Sequence, residues 1–457
     1  MGSLLTSILN TANALQVFSR EMQVTENNVT NASTPGYVKQ TLIPEPLPFD
    51  LTQGLTGGVL AGPVVSSRSQ FAEQSVREQQ SALGYYTPQA SDLSALENNF
   101  DLSSSSGISA TLNSFFQTFS QLSINPNDTV SRQAVIDQAG NLAQAFRDTA
   151  TGLFTQANDV STETQTDITQ INSLAQTIAQ INAKGRTDPS GGVDAGVDAE
   201  LNSSLEGLSQ YVGITVLPQQ DGTVNVYLGG QTPLVISDQA LAIQGDFSTP
   251  QTAIFDSQGK DITSQVSEGQ LAGVVNLKNT LIPSYVSDLN TLAQNVADQV
   301  NTALDAGIDQ NGGAPITDLF TYDPNNGAAL TLSVNNLTPD QIAAALPGAP
   351  AGNGNALALS ALGSAHNING YTYTQFYGNL AGRVGQDSSS AQSNQNTQQQ
   401  LLAQSKSMRS RLSSVSLDEE AAKLISYEQA YTATSKMLGI LNSLTDTLLN
   451  MVGTASG

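Results

Sequence analysis

The chain has 457 residues and a formal net charge of −23, with only 16 Lys and Arg against 39 Asp and Glu. Basic residues this sparse and scattered form no patch, which excludes binding of a nucleic-acid backbone by counterion release and attraction to an anionic membrane surface. With no cysteine there are no disulfides, thiolate metal sites or cysteine nucleophiles, and with no Trp and 5% aromatics the chain suits long, thin helical packing better than one thick core.

No apolar run nears the roughly 18 residues of a membrane span. The N-terminus lacks a basic start followed by an apolar core, so neither a transmembrane helix nor a cleavable signal peptide is expected. Met1-Gly2-Ser3-Leu4-Leu5-Thr6 fits the short myristoylation pattern, but the amphipathic helix that follows accounts for those residues by itself. In that helix Leu5, Ile8, Ala12, Leu15, Met22 and Val29 recur at three, four and seven, one stripe on a helical surface. It ends in Asn27-Asn28-Val29-Thr30-Asn31-Ala32-Ser33-Thr34-Pro35-Gly36-Tyr37. There Asn, Ser and Thr compete with helical backbone bonds, and Pro35-Gly36 makes a strong turn.

Leu42 to Phe49 holds three prolines and reads as extended chain, with a short hairpin around Gly57-Gly58-Val59-Leu60. Gln70 to Tyr86 reads as helix, as does Leu112 to Ile124, where Phe115, Phe116 and Phe119 pack between helices rather than form a cofactor box. After the break at Asn125-Pro126-Asn127-Asp128, Val130 to Lys184 runs without proline. It keeps helical spacing at Val135, Leu142, Phe146, Leu153, Ile168, Ile171, Leu174, Ile178 and Ile181, and about 55 residues would extend roughly 80 Å. Its polar middle, Asp159 to Thr166, reads as exposed or kinked.

Composition shifts at Gly185. Leu201 to Val212 reads as a short helix. Gly213 to Leu217 and Val224 to Leu228 alternate around Asp221-Gly222, a hairpin signal. Further short strands are expected at Leu234 to Ser237, Leu241 to Gln244 and Ala253 to Asp256. Leu277 to Leu304 returns to helix, with a stripe at Leu281, Tyr285, Leu289, Leu292, Val296 and Val300. Asp309 to Gly313 lacks the spaced acids of a calcium loop and reads as a turn. Gly307 to Tyr373 reads mostly as loop, with strands near Ala329 to Val334 and a small helix near Pro339 to Ala345. His366, the one histidine, has no neighbouring ligand type. Thr374 to Leu412 is helical, the polar run Gln386 to Gln400 being a solvated stretch of it. Last comes a helix from Leu417 to Val452. Ser416 can cap it, Asp418, Glu419 and Glu420 suit the positive end of its dipole, and Leu417, Ala421, Leu424, Tyr431, Leu438, Leu441, Leu448 and Val452 form a stripe. A rod this long must bury that stripe against something, and the N-terminal stripe is the natural partner.

The expected fold is mainly α with a β-rich domain. It is an elongated long-helix bundle built from the N- and C-terminal parts of the chain, with paired terminal coiled-coil helices and an inserted α+β or β domain. The segments are 1–36 with 415–457 as paired terminal helices, 37–184 with 274–306 and 374–414 as the long-helix bundle, 185–273 as the β-rich insertion, and 307–373 as a loop-rich segment. No Gly-x-Ser-x-Gly elbow, phosphate loop or zinc motif is present, so an enzyme is not expected and no cofactor is called for.

The Asn27–Tyr37 segment resembles the Asn-Asn-x-x-Asn-x-x-Thr-Pro-Gly-Tyr signature of bacterial flagellar rod, hook and hook-associated proteins, with Ala32-Ser33 where relatives often have Ala-Asn. Ser416 to Ala422, continuing to Gln429-Ala430-Tyr431, resembles the C-terminal signature of the same group, and Asp418-Glu419-Glu420 is similar to its hook–filament junction members. Asn125-Pro126 with Arg132-Gln133, and Val224 to Gly230, match intermediate stretches.

The resemblance implies a structural protein exported through the flagellar type III system without a cleavable signal, located outside the cell at the hook–filament junction. It implies a ring on the hook tip, with termini inside and the β-rich domain outside. The implied partners are hook protein, a second junction protein, further copies of itself, and a cytoplasmic chaperone on the C-terminal helix, with no nucleic acid and no membrane insertion. The residues expected to carry assembly are Leu5, Ile8, Leu15, Met22, Asn27, Asn28, Asn31, Thr34, Pro35, Gly36, Tyr37, Leu417, Asp418, Glu419, Glu420, Leu424, Tyr431, Leu438, Leu441, Leu448 and Val452. The alternatives are a hook or distal rod structural protein, or a secreted coiled-coil interaction protein outside the flagellum.

Overall fold

The computed structural model describes residues 2–50, 55–100, 102, 105–186, 194–315, 317–349 and 352–455. In chain order, helix α1 (Gly2–Asn31) leads into strands β1 (Gln40–Pro46), β2 (Phe49–Asp50), β3 (Leu55–Thr56) and β4 (Val59–Ser66). Helices α2 (Gln70–Glu97), α3 (Ile108–Ile124), α4 (Thr129–Arg186) and α5 (Ala195–Tyr211) follow. Then come β5 (Ile214–Pro218), β6 (Val224–Leu228), β7 (Thr232–Ile236), β8 (Gln239–Ala240), β9 (Gln244–Asp246) and β10 (Ala253–Phe255). The remainder is α6 (Gln270–Asn276), α7 (Ile282–Asp305), β11 (Phe320–Thr321), α8 (Ala328–Thr331), β12 (Ser333–Val334), α9 (Gly354–Leu362), α10 (Tyr373–Ser413) and α11 (Leu417–Ala455). Long helices dominate, as the sequence leads one to expect, and every described strand pair is antiparallel.

The chain divides into two compact units, the first comprising 1–81, 170–243 and 398–457, and the second 82–169 and 244–397. The cut after 243 falls inside the β-rich stretch. In the first unit, α1 pairs with α11 on one side and with the β1–β4 ribbon on another. A four-stranded sheet, ordered β5-β6-β7-β8, is fastened to the end of α4 by two asparagines. Asn182 Nδ2 donates to the Val224 carbonyl at 2.8 Å while its Oδ1 accepts the Val224 N–H at 3.1 Å. Asn172 does the same with Ile243, at 2.9 Å each way. That second pair explains why Leu241 to Gln244 is not one strand: the backbone groups of Ile243 are spent on α4, between the Leu241 N–H, which donates to the Leu234 carbonyl at 2.8 Å, and Gln244, where β9 begins.

The core of the second unit is aromatic and aliphatic. Phe115, Phe119 and Phe320 meet edge to face, and Phe116 stacks on Tyr373 with ring centroids 5.7 Å apart. The α7 stripe is buried at Tyr285, Leu289, Leu292, Val296 and Val300. A π-turn at Leu277–Leu281 joins α6 to α7 just before Pro283, whose missing N–H and ring disfavour regular helix there.

Several local expectations change. Helix α2 does not stop at Tyr86 but continues through Pro88 to Glu97, because Leu93 and Leu96 are buried and α6 packs on it at backbone distance. A Cβ on Gly273 would lie 2.3 Å from the Tyr85 carbonyl oxygen. Helix α4 is continuous through its polar middle, where Val160 and Thr164 are fully buried and the Thr164 hydroxyl donates to the Val160 carbonyl at 2.7 Å. The stretch Ala329 to Val334 opens with the short helix α8, because the Asn290 side chain accepts the Ala329 N–H at 2.9 Å; only Ser333–Val334 is strand. Pro339 to Ala345 holds a single 3₁₀ turn, after which Arg132 binds the Ile342 carbonyl and Ala345 bridges to Ile308. Helix α9 occupies a stretch that reads as loop; it packs on α3, with Gly363 against Phe116.

Candidate functional site

Helix α1 ends where its own asparagines take over the backbone. Asn31 Nδ2 donates to the Asn27 carbonyl at 3.0 Å and to Asn27 Oδ1 at 2.7 Å, and the Thr34 hydroxyl donates to Asn31 Oδ1 at 3.3 Å. The turn then closes through Thr34 N–H to the Asn31 carbonyl and Tyr37 N–H to the Thr34 carbonyl. Gly36 is required twice over: its φ is +76°, and a Cβ there would sit 2.4 Å from the Ala199 carbonyl oxygen.

The turn returns the chain onto α1 and α11. Asn28, 1% exposed, accepts the Tyr37 hydroxyl and the Gln40 N–H at 2.9 Å each. Its amide donates to the Gln40 carbonyl at 2.9 Å and to Glu420 Oε2 at 2.8 Å. Glu420 is also 1% exposed. Lys39 and Lys423 complete the pairing. Lys39 Nζ lies 2.8 Å from Glu419 and 3.6 Å from Glu420, and Lys423 Nζ lies 2.9 Å and 3.2 Å from the same two carboxylates. The Lys39 N–H donates to the Ser413 carbonyl, and Ser416 caps α11 through the Glu419 N–H. The two signature stretches, nearly 400 positions apart in sequence, are thus one hydrogen-bonded clamp (the Asn28–Glu420 separation is 392).

The charges settle accordingly. Hydrogen bonds from Lys39 and Lys423 pull Glu419 down to about 2. Burial pushes Tyr37 up to about 12, with the Glu420 carboxylate adding to it. Burial alone would lower Lys423, but its bonds to Glu419 and Glu420 win and raise it.

The expected apolar residues divide by exposure. Leu424, Leu438 and Leu441 are half-buried, as are Ile8, Leu15 and Met22 on α1. Leu5 (62%), Leu417, Tyr431 and Leu448 are exposed, and so are Asp418, Asn27, Thr34 and Pro35. The side chain of Val452 lies outside the described residues. The stripe reading missed a second line on α11: Ile425 (57%), Met437, Ile440 (62%), Leu444 and Met451 are all exposed. From Met437 they recur at three, four and seven with Leu448, so the signal was present as a second register of the same period. Ile440 and Leu444 line a shallow groove together with Lys436, Gly439, Ser443 and Thr447. A helix apolar on two sides is covered on one of them by α1.

Among the described residues no cluster of three or more His, Cys, Asp or Glu could hold a metal ion, and no helix is long and apolar enough to cross a membrane. His366 is exposed.

Two family models match the chain: that of the flagellar hook-associated protein FlgK helical domain over residues 93–320, and that of the flagellar basal body rod FlgEFG protein C-terminal region over 397–451. Flagellar hook-associated protein 1 of Bacillus subtilis is 27% identical, over 96% of this chain and 97% of its own length. The chain belongs to the flagellar hook-associated protein 1 family. The Escherichia coli member is 22% identical over 99% of this chain and all of its own. The flagellar hook junction protein FlgK from Burkholderia pseudomallei has the same fold, with a TM-score of 0.67 at 15% identity, and covers 75% of this chain. The C-terminal model takes its description from basal body rod proteins, whereas the helical-domain model is described from FlgK and the full-length relatives are named flagellar hook-associated protein 1. The α11 side of the clamp lies in the region that the C-terminal model matches.

Proposed function

We propose that the chain is a structural component of the bacterial flagellum at the hook–filament junction, where it assembles as a ring on the hook tip and adapts hook to filament through its terminal helices. One observation carries the reading. The clamp holds α1 and α11 together, yet the outward line of α11 stays uncovered. Burying each such side chain contributes about 2 kcal/mol, so a helix with this face in water is built to be met by neighbours. Heterologous contacts of that kind continue from copy to copy. The partners that fit are further copies of the chain, hook protein on one side and a second junction protein on the other, with an export chaperone on the C-terminal helix before assembly. Export in an unfolded state through the type III system suits a chain that needs no disulfide.

Ile440→Asp combined with Leu444→Asp tests this. Both side chains point outward, so the monomer should keep its helical content and melting behaviour. Cells carrying the pair should make hooks but fail to attach filaments, and swimming should be lost. Normal motility with the double variant would overturn the reading.

A further inference from the structure

Arg68 lies in the bend between β4 and α2, and its side chain is 4% exposed. In a chain with 16 basic residues, burying one this completely calls for a reason. Its guanidinium donates in three directions: Nη2 to the Gly36 carbonyl at 2.7 Å, Nε to Asp198 at 2.8 Å, and Nη1 to Glu73 at 2.5 Å. Glu73, 2% exposed at its side chain, accepts at its other oxygen from Arg409 at 3.0 Å, and Arg409 donates also to Glu206 at 2.7 Å. Four separate stretches of the first unit meet here. They are the signature turn after α1, the first turn of α2, helix α5 leading into the β5–β8 sheet, and the end of α10 leading into α11. The turn lies directly on α5, so close that a Cβ on Gly36 would sit 2.4 Å from the Ala199 carbonyl oxygen. A planar fork with fixed donor directions accepts one arrangement of its three partners, whereas apolar packing alone tolerates sliding.

We propose that Arg68 is a positioning residue that fixes the angle at which α5 and the β5–β8 sheet stand on the α1–α11 pair. Every assembled copy would then present its sheet in the same place. This consequence rests on the assembly reading above; the positioning itself is a property of the monomer.

The absence of native cysteine makes the test clean. In the full chain, spin labels are placed at Gln23→Cys on α1 and Gln231→Cys in the turn between β6 and β7, both exposed. A control pair, Gln16→Cys and Gln429→Cys, spans α1 and α11. Distance distributions are read by pulsed dipolar spectroscopy. Otherwise native Arg68 should give a narrow distribution for the sheet pair. Arg68→Gln should widen and shift it, and Arg68→Lys should not restore it, since an ammonium cannot reproduce the fork. The control pair and the helical content should not change. An unaltered sheet-pair distribution in both variants would overturn the proposal. So would equal widening of the control pair, because Arg68 would then only hold the unit folded. Where Arg68→Gln fails to fold, Arg68→Lys and Glu73→Gln carry the same reading. Lost motility with unchanged distances would count against positioning, while altered distances with intact motility would support positioning and count against its role in assembly.

Discussion

Asn28 uses every hydrogen-bonding position its amide offers, two acceptances at Oδ1 and two donations from Nδ2, with none left for water. Asn28→Ala leaves the buried Glu420 and the Gln40 backbone without their partner, and should destabilise the terminal pair by about 3 kcal/mol, read from urea unfolding of the helical signal. Asn28→Asp keeps the shape, loses both donors and sets a carboxylate against Glu420. It should be at least as damaging at pH 7 and recover on acidification. If either variant melts as the parent does, the clamp is not a stabilising element. The sequence flagged Asn28 and Glu420 by resemblance to a signature; nothing in their local spacing showed that they meet. Lys39 was missed, because an exposed-looking lysine in an extended stretch carries no local sign of a distant carboxylate.

Among the elements, α4 was the most legible, since 58 residues without proline and with a sustained helical period leave little alternative. Its polar middle is continuous helix and only partly exposed: Asp159, Thr162, Gln165 and Thr166 face water, while Val160, Thr164 and the neighbouring Asp167 are buried on the other side. Asp167, 1% exposed, and Asp92 each keep one carboxylate oxygen without a hydrogen bond among the described residues, and Gln270 reaches Glu163 at 3.0 Å. Burial raises Asp167 to about 8, helped by Glu163, and Asp92 to about 7, helped by Glu163 and Asp159. The sign follows from proton counting. Between the unfolded value near 4 and the raised folded value, the native state holds more protons than the unfolded one, so stability falls as pH rises through that window. Asp167 can contribute a slope of at most about 1.4 kcal/mol per pH unit. The second unit should therefore be more stable at about pH 5.5, inside this window, than at about pH 8.5, above it, and Asp167→Asn should flatten the dependence. A parent chain equally stable at both would show that these carboxyls are ionised throughout.

For the molecule as a whole, the two units should differ in how fast their backbones exchange. The aromatic core around α3 and the buried stripe of α7 should give the second unit its slowest amides. In the first unit most of α11 beyond Tyr427 is exposed on every side but one. In the isolated monomer its amides should exchange soonest, beginning at the C-terminal end, and should become protected on assembly. Protection of all of α11 in a verified monomer would mean that α1 alone suffices to hold it, and the uncovered line would lose its meaning.

Hydrophobic period, proline and glycine placement and cap chemistry did not determine the short helices α8 and α9 or the end of α2, but they determined the long helices and that both termini are amphipathic. These are properties of neighbouring residues, so the sequence states them directly. Tertiary structure alone decided the rest. The Asn28–Glu420 pair joins positions 392 apart, Arg68 binds a turn and two helices, and Ile243 gives up strand pairing to Asn172. Such contacts depend on which donors and acceptors the fold brings within about 3 Å, and no local spacing encodes a partner several helices away.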